Sequence, residues 1–228
     1  MERTVDAAVR SVSISMITSI AEKMFSAQQN VQGNVATIAG ELNAVELRTL
    51  LDYPARLEHR VGSILAGNYI VSKFGAEGTV TSKRDFFADG FSFSGCTAVW
   101  LVANEGKLDV VRALVEVMGA DAEAKEDKYG CTSVHAAVMG GDHAELVRYL
   151  TVERGVRVDT PDSGCWTPLH LASFRGRYES LAVLLESPTS TVDVINARTK
   201  YGLTALKLAL SNNHSACADL LRAHGATE

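Results

Sequence analysis

Two pairs of residues have the types and spacing of a metal or nucleophile site. Cys131 and His135 are four apart, and Cys165 and His170 are five apart. A thiolate and an imidazole one helical turn apart invite zinc, which takes sulfur and nitrogen ligands in a tetrahedral set. The paired CxxC that often completes such a set is absent. Cys131 could also work with His143 as a nucleophile and its base, yet nothing supplies an orienting third group or an oxyanion site in a recognisable context. Gly140-Gly141 and the other glycines do not follow the GxxxxGKS/T or GxGxxG pattern of a phosphate loop. The carboxylates do not fall at metal-loop spacing, and Lys125-Glu126-Asp127-Lys128 reads as a solvated loop of mixed charge. No catalytic residue, metal or cofactor is assigned from these residues.

The elements that must position them follow a period. Gly130-Cys131-Thr132-Ser133-Val134-His135-Ala136-Ala137 is echoed by Trp166-Thr167-Pro168-Leu169-His170-Leu171-Ala172. Fainter echoes are Gly95-Cys96-Thr97-Ala98-Val99-Trp100 and Gly202-Leu203-Thr204-Ala205-Leu206-Lys207-Leu208-Ala209. The threonines fall at 97, 132, 167 and 204, at intervals of 35, 35 and 37. Threonine is a good helix N-cap, because its hydroxyl accepts from a free N–H of the first turn. Pro168 stands at the first helical position, where no N–H is needed. Gly106, Gly141 and Gly176, each nine residues after its threonine, predict helices of about two turns ended by a left-handed residue, with Asn213 in that place in the fourth unit.

Each unit then carries a second amphipathic segment. Val110, Val111, Leu114 and Val115, then Leu146, Val147 and Leu150, then Leu181, Leu184 and Leu185, then Leu220 and Leu221 share one helical face. Gly119, Gly155 and Gly225 end three of these helices, and Pro188 ends the other. The segment before Gly119 carries an extra residue, and the stretch from 186 to 196 is longer than its counterparts. The stretches between units have no helical period and suit protruding turns.

A repeat of this length with a T-P-L-H-x-A core resembles the ankyrin family over about residues 95–228. The resemblance implies an all-α, ankyrin-type solenoid of stacked helix pairs with hairpin-like loops. It divides the chain into a helical N-terminal cap at 1–94 and four units at about 95–129, 130–163, 164–201 and 202–228. It also places both histidines inside, hydrogen-bonded within and between units, which competes directly with the zinc reading. The histidine position holds Trp100 and Lys207 in the outer units, a departure from the family pattern.

The first ninety residues read less clearly. Residues 4–29, 41–51 and 62–74 have helical spacing, and a degenerate repeat around 30–53 is one reading of Gly40 before the second of these. Ser82 to Ala88 reads as a short helix after a turn at Gly75 and Gly78. One helical pair cannot bury its apolar face alone, so a cap over Val99 and Trp100 is expected. The alternative is a separate helical domain, though no stretch has the composition of a linker.

Composition excludes several classes. A net charge of −5 with no basic block lacks the electrostatic footprint of a nucleic-acid binder. The uncharged run from Ser11 to Ala21 is too short to span a bilayer. Arg3 and Arg10 with nearby serines would suit a mitochondrial presequence, but Glu2, Asp6 and Glu22 argue against one. Cys96, Cys131 and Cys165 recur at repeat spacing, and equivalent positions in stacked helices should stand roughly 10 Å apart, beyond disulfide reach. Reduced thiols fit the cytosol or nucleus.

Function is therefore expected at a surface: a non-catalytic protein–protein interaction module, an adaptor or scaffold, with a protein partner and no cofactor, favoured as a monomer. The alternative is the regulatory or targeting part of an enzyme; self-association through an uncapped end is a third reading. In the family the partner lies on loop tips and first-helix surfaces. Carried over by register with the threonine, the candidate positions are Asn104, Glu105, Lys128, Tyr129, Cys131, Met139, Trp166, Phe174, Arg175, Lys200, Tyr201 and Leu203. Trp, Tyr and Arg dominate binding hot spots, which singles out Trp166, Phe174, Arg175, Tyr129 and Tyr201. The competing reading folds Trp166 or Phe174 back onto a neighbouring unit.

Overall fold

Each of the four threonines starts a helix. In the computed structural model, which describes residues 65–227 apart from 76, 80 and 89, the described elements run as follows. Residues 65–74 are helical (α1). Strands β1 (Lys83–Ala88) and β2 (Phe91–Thr97) come next. The first helix pair is α2 (Ala98–Asn104) and α3 (Leu108–Arg112). The second is α4 (Ser133–Gly140) and α5 (Ala144–Arg148), and the third is α6 (Pro168–Arg175) and α7 (Tyr178–Glu186). A single turn α8 (Val192–Ile195) precedes α9 (Ala205–Ser211) and α10 (Ser215–Ala223). The readings of 4–29, 30–53, 41–51 and 62–64 lie outside the described residues.

The caps explain the starts. Thr97 accepts from the Trp100 N–H at 3.3 Å, and Thr204 from the Lys207 N–H at 3.2 Å. Thr132 and Thr167 go further. Their hydroxyls accept from the backbone of His135 and His170, and those imidazoles accept in return from the threonine N–H groups. Two orphan N–H groups are satisfied reciprocally, with histidine in the place usually held by Glu or Gln.

The ends need one correction. Gly176 ends α6 at φ 65°, and Asn213 stands at φ 61° as expected. Gly141 is not left-handed: its φ is −179°, an extended geometry open to any residue. What requires glycine there is space, since a Cβ would stand 2.7 Å from two atoms of the His143 ring.

Helices α3 and α5 each pass into a wider turn with i→i+5 bonding, at Ala113–Val117 and Tyr149–Glu153. Such a turn accommodates one extra residue without breaking the helix. That is how the long segment before Gly119 is absorbed. The extra length between 186 and 196 is taken up by α8.

The core is one continuous layer of small and branched residues between successive helix pairs, with Val134, Leu150, Leu169, Leu181, Leu184 and Leu221 all fully enclosed. Helix α2 packs on α4, α4 on α6, and α6 on α9.

Ahead of α2 the expectation of helices alone fails. Ser82 to Ala88 contributes a strand, not a helix, and pairs antiparallel with β2 in the register Phe86↔Phe93 and Ala88↔Phe91, with an irregularity between Arg84 and Phe86. The reason is chemical. Asp89-Gly90 is a favoured two-residue hairpin turn, and alternating phenylalanines flank it. Phe86 and Phe93 lay their rings on Trp100, at centroid distances of 5.7 and 5.1 Å. Ala66, Tyr69 and Ile70 of α1 belong to the same core, so Val99 and Trp100 are enclosed.

Candidate functional site

The loops between units stand side by side and bond to one another. Within each, a backbone N–H closes the turn: Glu126 to Cys131 O at 3.0 Å, Asp162 to Trp166 O at 2.8 Å, Thr199 to Leu203 O at 3.0 Å. Between them run further bonds, Asp127 to Ser94 O, Ser163 to Tyr129 O and Lys200 to Gly164 O. One polar side chain organises each tip. Glu126, itself buried, accepts from the N–H groups of Lys128, Tyr129 and Cys131. Asp162 accepts from Gly164 and Trp166, and the Thr199 hydroxyl from Tyr201 and Leu203.

The tips and the first helices beneath them enclose an open cleft of about 490 Å³. Its walls are Phe91, Phe93, Tyr129, Trp166, Phe174 and Tyr201, with Cys131, His135, Met139, Leu171, Arg175 and Lys200 among the rest. The rings brace one another: Trp166 stands edge-on to Phe174 at 5.5 Å, and Tyr129 edge-on to Phe93 at 5.4 Å. Tyr201 is 70 % and Phe174 41 % exposed. Exposed aromatic area gathered in one concavity is unusual for a surface with no binding role.

The cysteine and histidine chemistry is spoken for. His135 uses Nδ1 on Thr132 and Nε2 on the Trp166 carbonyl, 3.1 Å away in the next loop. His170 does the same with Thr167 and the Ala197 carbonyl at 2.9 Å. Both ring nitrogens are therefore committed within and between units. Burial lowers both imidazole pKa values, which keeps the rings neutral. Burial raises the Cys131 thiol far above its ordinary range and the Cys96 thiol to about 12, so neither supplies the thiolate a nucleophile needs. All four cysteines are free.

The helix caps, committed histidines and paired loops repeat at the threonine period, and a family profile described as ankyrin repeats (3 copies) matches residues 67–162 and 156–227. The chain belongs to the ankyrin-repeat family.

Individual ankyrin-repeat relatives are similar over shorter stretches. The RelA-associated inhibitor of Mus musculus is 38 % identical over 68 residues, 30 % of this chain and 8 % of that protein. The ankyrin repeat protein nuc-2 of Neurospora crassa is 26 % identical over 142 residues, 62 % of this chain and 13 % of its own length. The nuclear factor NF-kappa-B p105 subunit of Gallus gallus is 31 % identical over 114 residues, 50 % of this chain and 11 % of its own. The chain thus spans a small part of each relative's length. Ankyrin repeats are protein–protein interaction modules and generally non-catalytic. No helix among the described residues is long and apolar enough to cross a membrane.

Against this ankyrin frame the candidate positions divide. Tyr129, Cys131, Met139, Trp166, Phe174, Arg175, Lys200 and Tyr201 all border the cleft. Leu203, half-buried, and Lys128, exposed, flank it. Two exposure expectations are corrected: Cys131 is 5 % and Met139 7 % exposed. Both side chains belong to the continuous apolar core and reach the cleft wall from within, beside the rings of Trp166 and Phe174 of the following unit. Cys96, which holds the same place before Thr97, lies in β2 and is fully enclosed.

Asn104 and Glu105 are taken up in holding the stack. The Asn104 amide donates to Ala136 O at 3.3 Å. Glu105 accepts Lys73 at 2.6 Å, Lys107 at 2.7 Å and the Tyr69 hydroxyl at 3.3 Å, which ties α1 to the first unit. Phe91 and Phe93 were missed from sequence. The Asp89-Gly90 turn was the signal that would have put a hairpin, and therefore their rings, beside Tyr129.

Proposed function

We propose that this chain is a non-catalytic adaptor that holds a protein partner in the aromatic cleft along the three loops that join its four units. The observation that carries this reading is the gathering of Tyr129, Trp166, Phe174 and Tyr201 from three loops and a helix around one open concavity. Rigid aromatic anchors of this kind present large contact area at little entropic cost. A relative named as an associated inhibitor fits a module that acts by holding another protein rather than by chemistry. The buried, protonated thiols and the free cysteines agree with a reducing compartment, and we place the protein in the cytosol or nucleus as a monomer.

Trp166→Ala tests the reading. It removes a half-buried ring that stands against the rings of Phe174 and His170. Partner affinity, measured by quantitative affinity capture against wild type, is expected to fall by about 2 kcal/mol or more. Stability by denaturant titration should drop by no more than about 1.5 kcal/mol, the worth of an aromatic pair. A loss of stability with capture unchanged would return Trp166 to a purely structural role.

A further inference from the structure

The rim of the cleft carries a pattern that the repeat itself does not require. Lys128-Tyr129-Gly130 precedes Thr132, and Lys200-Tyr201-Gly202 precedes Thr204 in the same register. The loop between them breaks the pattern, with Ser163-Gly164-Cys165 before Trp166 and Thr167. Each lysine lies over its own tyrosine, Lys128 Nζ 4.9 Å and Lys200 Nζ 5.2 Å from the ring centre. Lys128 also donates to the Ser92 carbonyl at 2.9 Å, an uncharged partner that leaves its charge in place.

Among the described residues, neither ammonium is ion-paired with a carboxylate. Of the acids nearby, only Asp127 has a cationic partner, Lys83 at 2.5 Å. Glu126 and Asp162 bond uncharged backbone N–H groups, Glu126 within the buried base of its loop and Asp162 at the middle loop of the cleft. In a chain of net charge −5, the two outer loops of an aromatic cleft thus each present an exposed lysine. At the middle loop Gly164 has no side chain. A Cβ there would stand 3.1 Å from Trp166 Cδ1, so glycine keeps the edge of that ring open.

We propose that the cleft takes an extended acidic segment of the partner protein, in which two carboxylates meet Lys128 and Lys200 and bracket an apolar side chain seated on Trp166 and Phe174. The proposal rests on the reading of the cleft as a protein-binding site. Two stacked helix pairs at roughly 10 Å each separate the lysine-bearing loops by roughly 20 Å. An extended chain at about 3.3 Å per residue covers that in about six residues. The carboxylates should therefore be about six positions apart, with the anchor near the midpoint. Stacking on tyrosine pre-positions each ammonium, and the salt dependence of exposed charge pairs should be visible in binding.

The experiment is selection of a random peptide library on the full chain, with the Trp166→Ala chain as counter-selection, followed by fluorescence anisotropy on the enriched peptides. Enriched sequences should carry Asp or Glu about six residues apart around an aromatic or aliphatic residue. Changing those acids to Asn or Gln should weaken binding about tenfold or more, and so should Lys128→Glu or Lys200→Glu, both exposed positions that leave the core untouched. A lysine-bearing peptide should regain affinity for the charge-reversed chain.

Enriched peptides that are neutral or basic, yet still need Trp166, would overturn the acidic segment and keep the cleft as a protein site. So would lysine reversals that leave affinity unchanged. Displacement of the peptide by a single-stranded oligonucleotide of equal length would overturn it in favour of a stacked nucleic-acid strand. Failure to find any sequence that depends on Trp166 would remove the protein-binding reading itself.

Discussion

The position three residues after the capping threonine is filled in two opposite ways. In the second and third units it is a histidine, and in the first it is Trp100; all three are enclosed. The histidines act forward. Each returns a bond to its own threonine and reaches a carbonyl of the following loop. Trp100 acts backward, through ring contacts with Phe86 and Phe93 of the hairpin. One helix start therefore supports a polar tie in the middle of the stack and an apolar plug at its front. The threonine cap is common to all of these helix starts. The residue three places on decides which neighbour is held and whether the hold responds to pH.

The largest effect is expected where the plug is removed. Trp100→Ala deletes a fully enclosed indole, and large aromatic truncations in cores cost about 3–5 kcal/mol. Denaturant midpoints should fall accordingly, and hydrogen-exchange protection should be lost first in β1 and β2, which lean on that ring. Loss of protection spread evenly from α2 to α10 would mean that the hairpin and the helical stack form one cooperative unit, and the contrast between front and middle would dissolve.

A smaller cost, with a pH signature, is expected in the middle. His170→Ala leaves the buried Thr167 N–H without its imidazole acceptor and the Ala197 carbonyl without its donor, at about 2–3 kcal/mol. Burial depresses the His170 pKa in the folded state, so the unfolded chain binds more protons in mild acid. The contribution is then fully present above the unfolded imidazole value, about 6.5, and is lost as pH falls from there toward the depressed folded value. Wild type should lose stability on acidification below that point, and His170→Ala should show a flatter profile. Equal slopes for the two would show that the imidazole is not the group that titrates.

Much of this was legible in the sequence, because capping is a local event. A threonine, joined in the third unit by Pro168 and His170, marks a helix start regardless of what surrounds it. The forward bonds of His135 and His170 were legible only through the family resemblance, since their acceptors lie in the next loop. The hairpin was missed because the stretch from Ser82 was read as helix, while the Asp89-Gly90 dipeptide, a hairpin signal in sequence, lies just beyond. For the cleft, register found the loop tips correctly but could not see side-chain size in the adjacent unit. Cys131 and Met139 are drawn into the apolar core and border the cleft alongside the large rings of Trp166 and Phe174. Nor could it see that Glu105 would be drawn away by Lys73, a residue of a different element.

The smallest effect sharpens the same comparison at the loops. Two residues before each threonine the backbone is left-handed: Gly95 at φ 65°, Gly130 at 74°, Gly202 at 75°, and Cys165 at 59°. Only the third unit places a side chain there, and a non-glycine residue in that conformation costs about 1–2 kcal/mol. Cys165→Gly relieves this but frees the unfolded backbone, which returns about 0.5–1 kcal/mol. The net expectation is a gain of about 0.5 kcal/mol, read as a small rise in denaturant midpoint. Cys165 is exposed, so no buried packing offsets the gain. If the variant is instead less stable, the cysteine side chain must be bracing the loop beside Gly164, and the open middle of the cleft would owe its shape to that thiol rather than to the glycine.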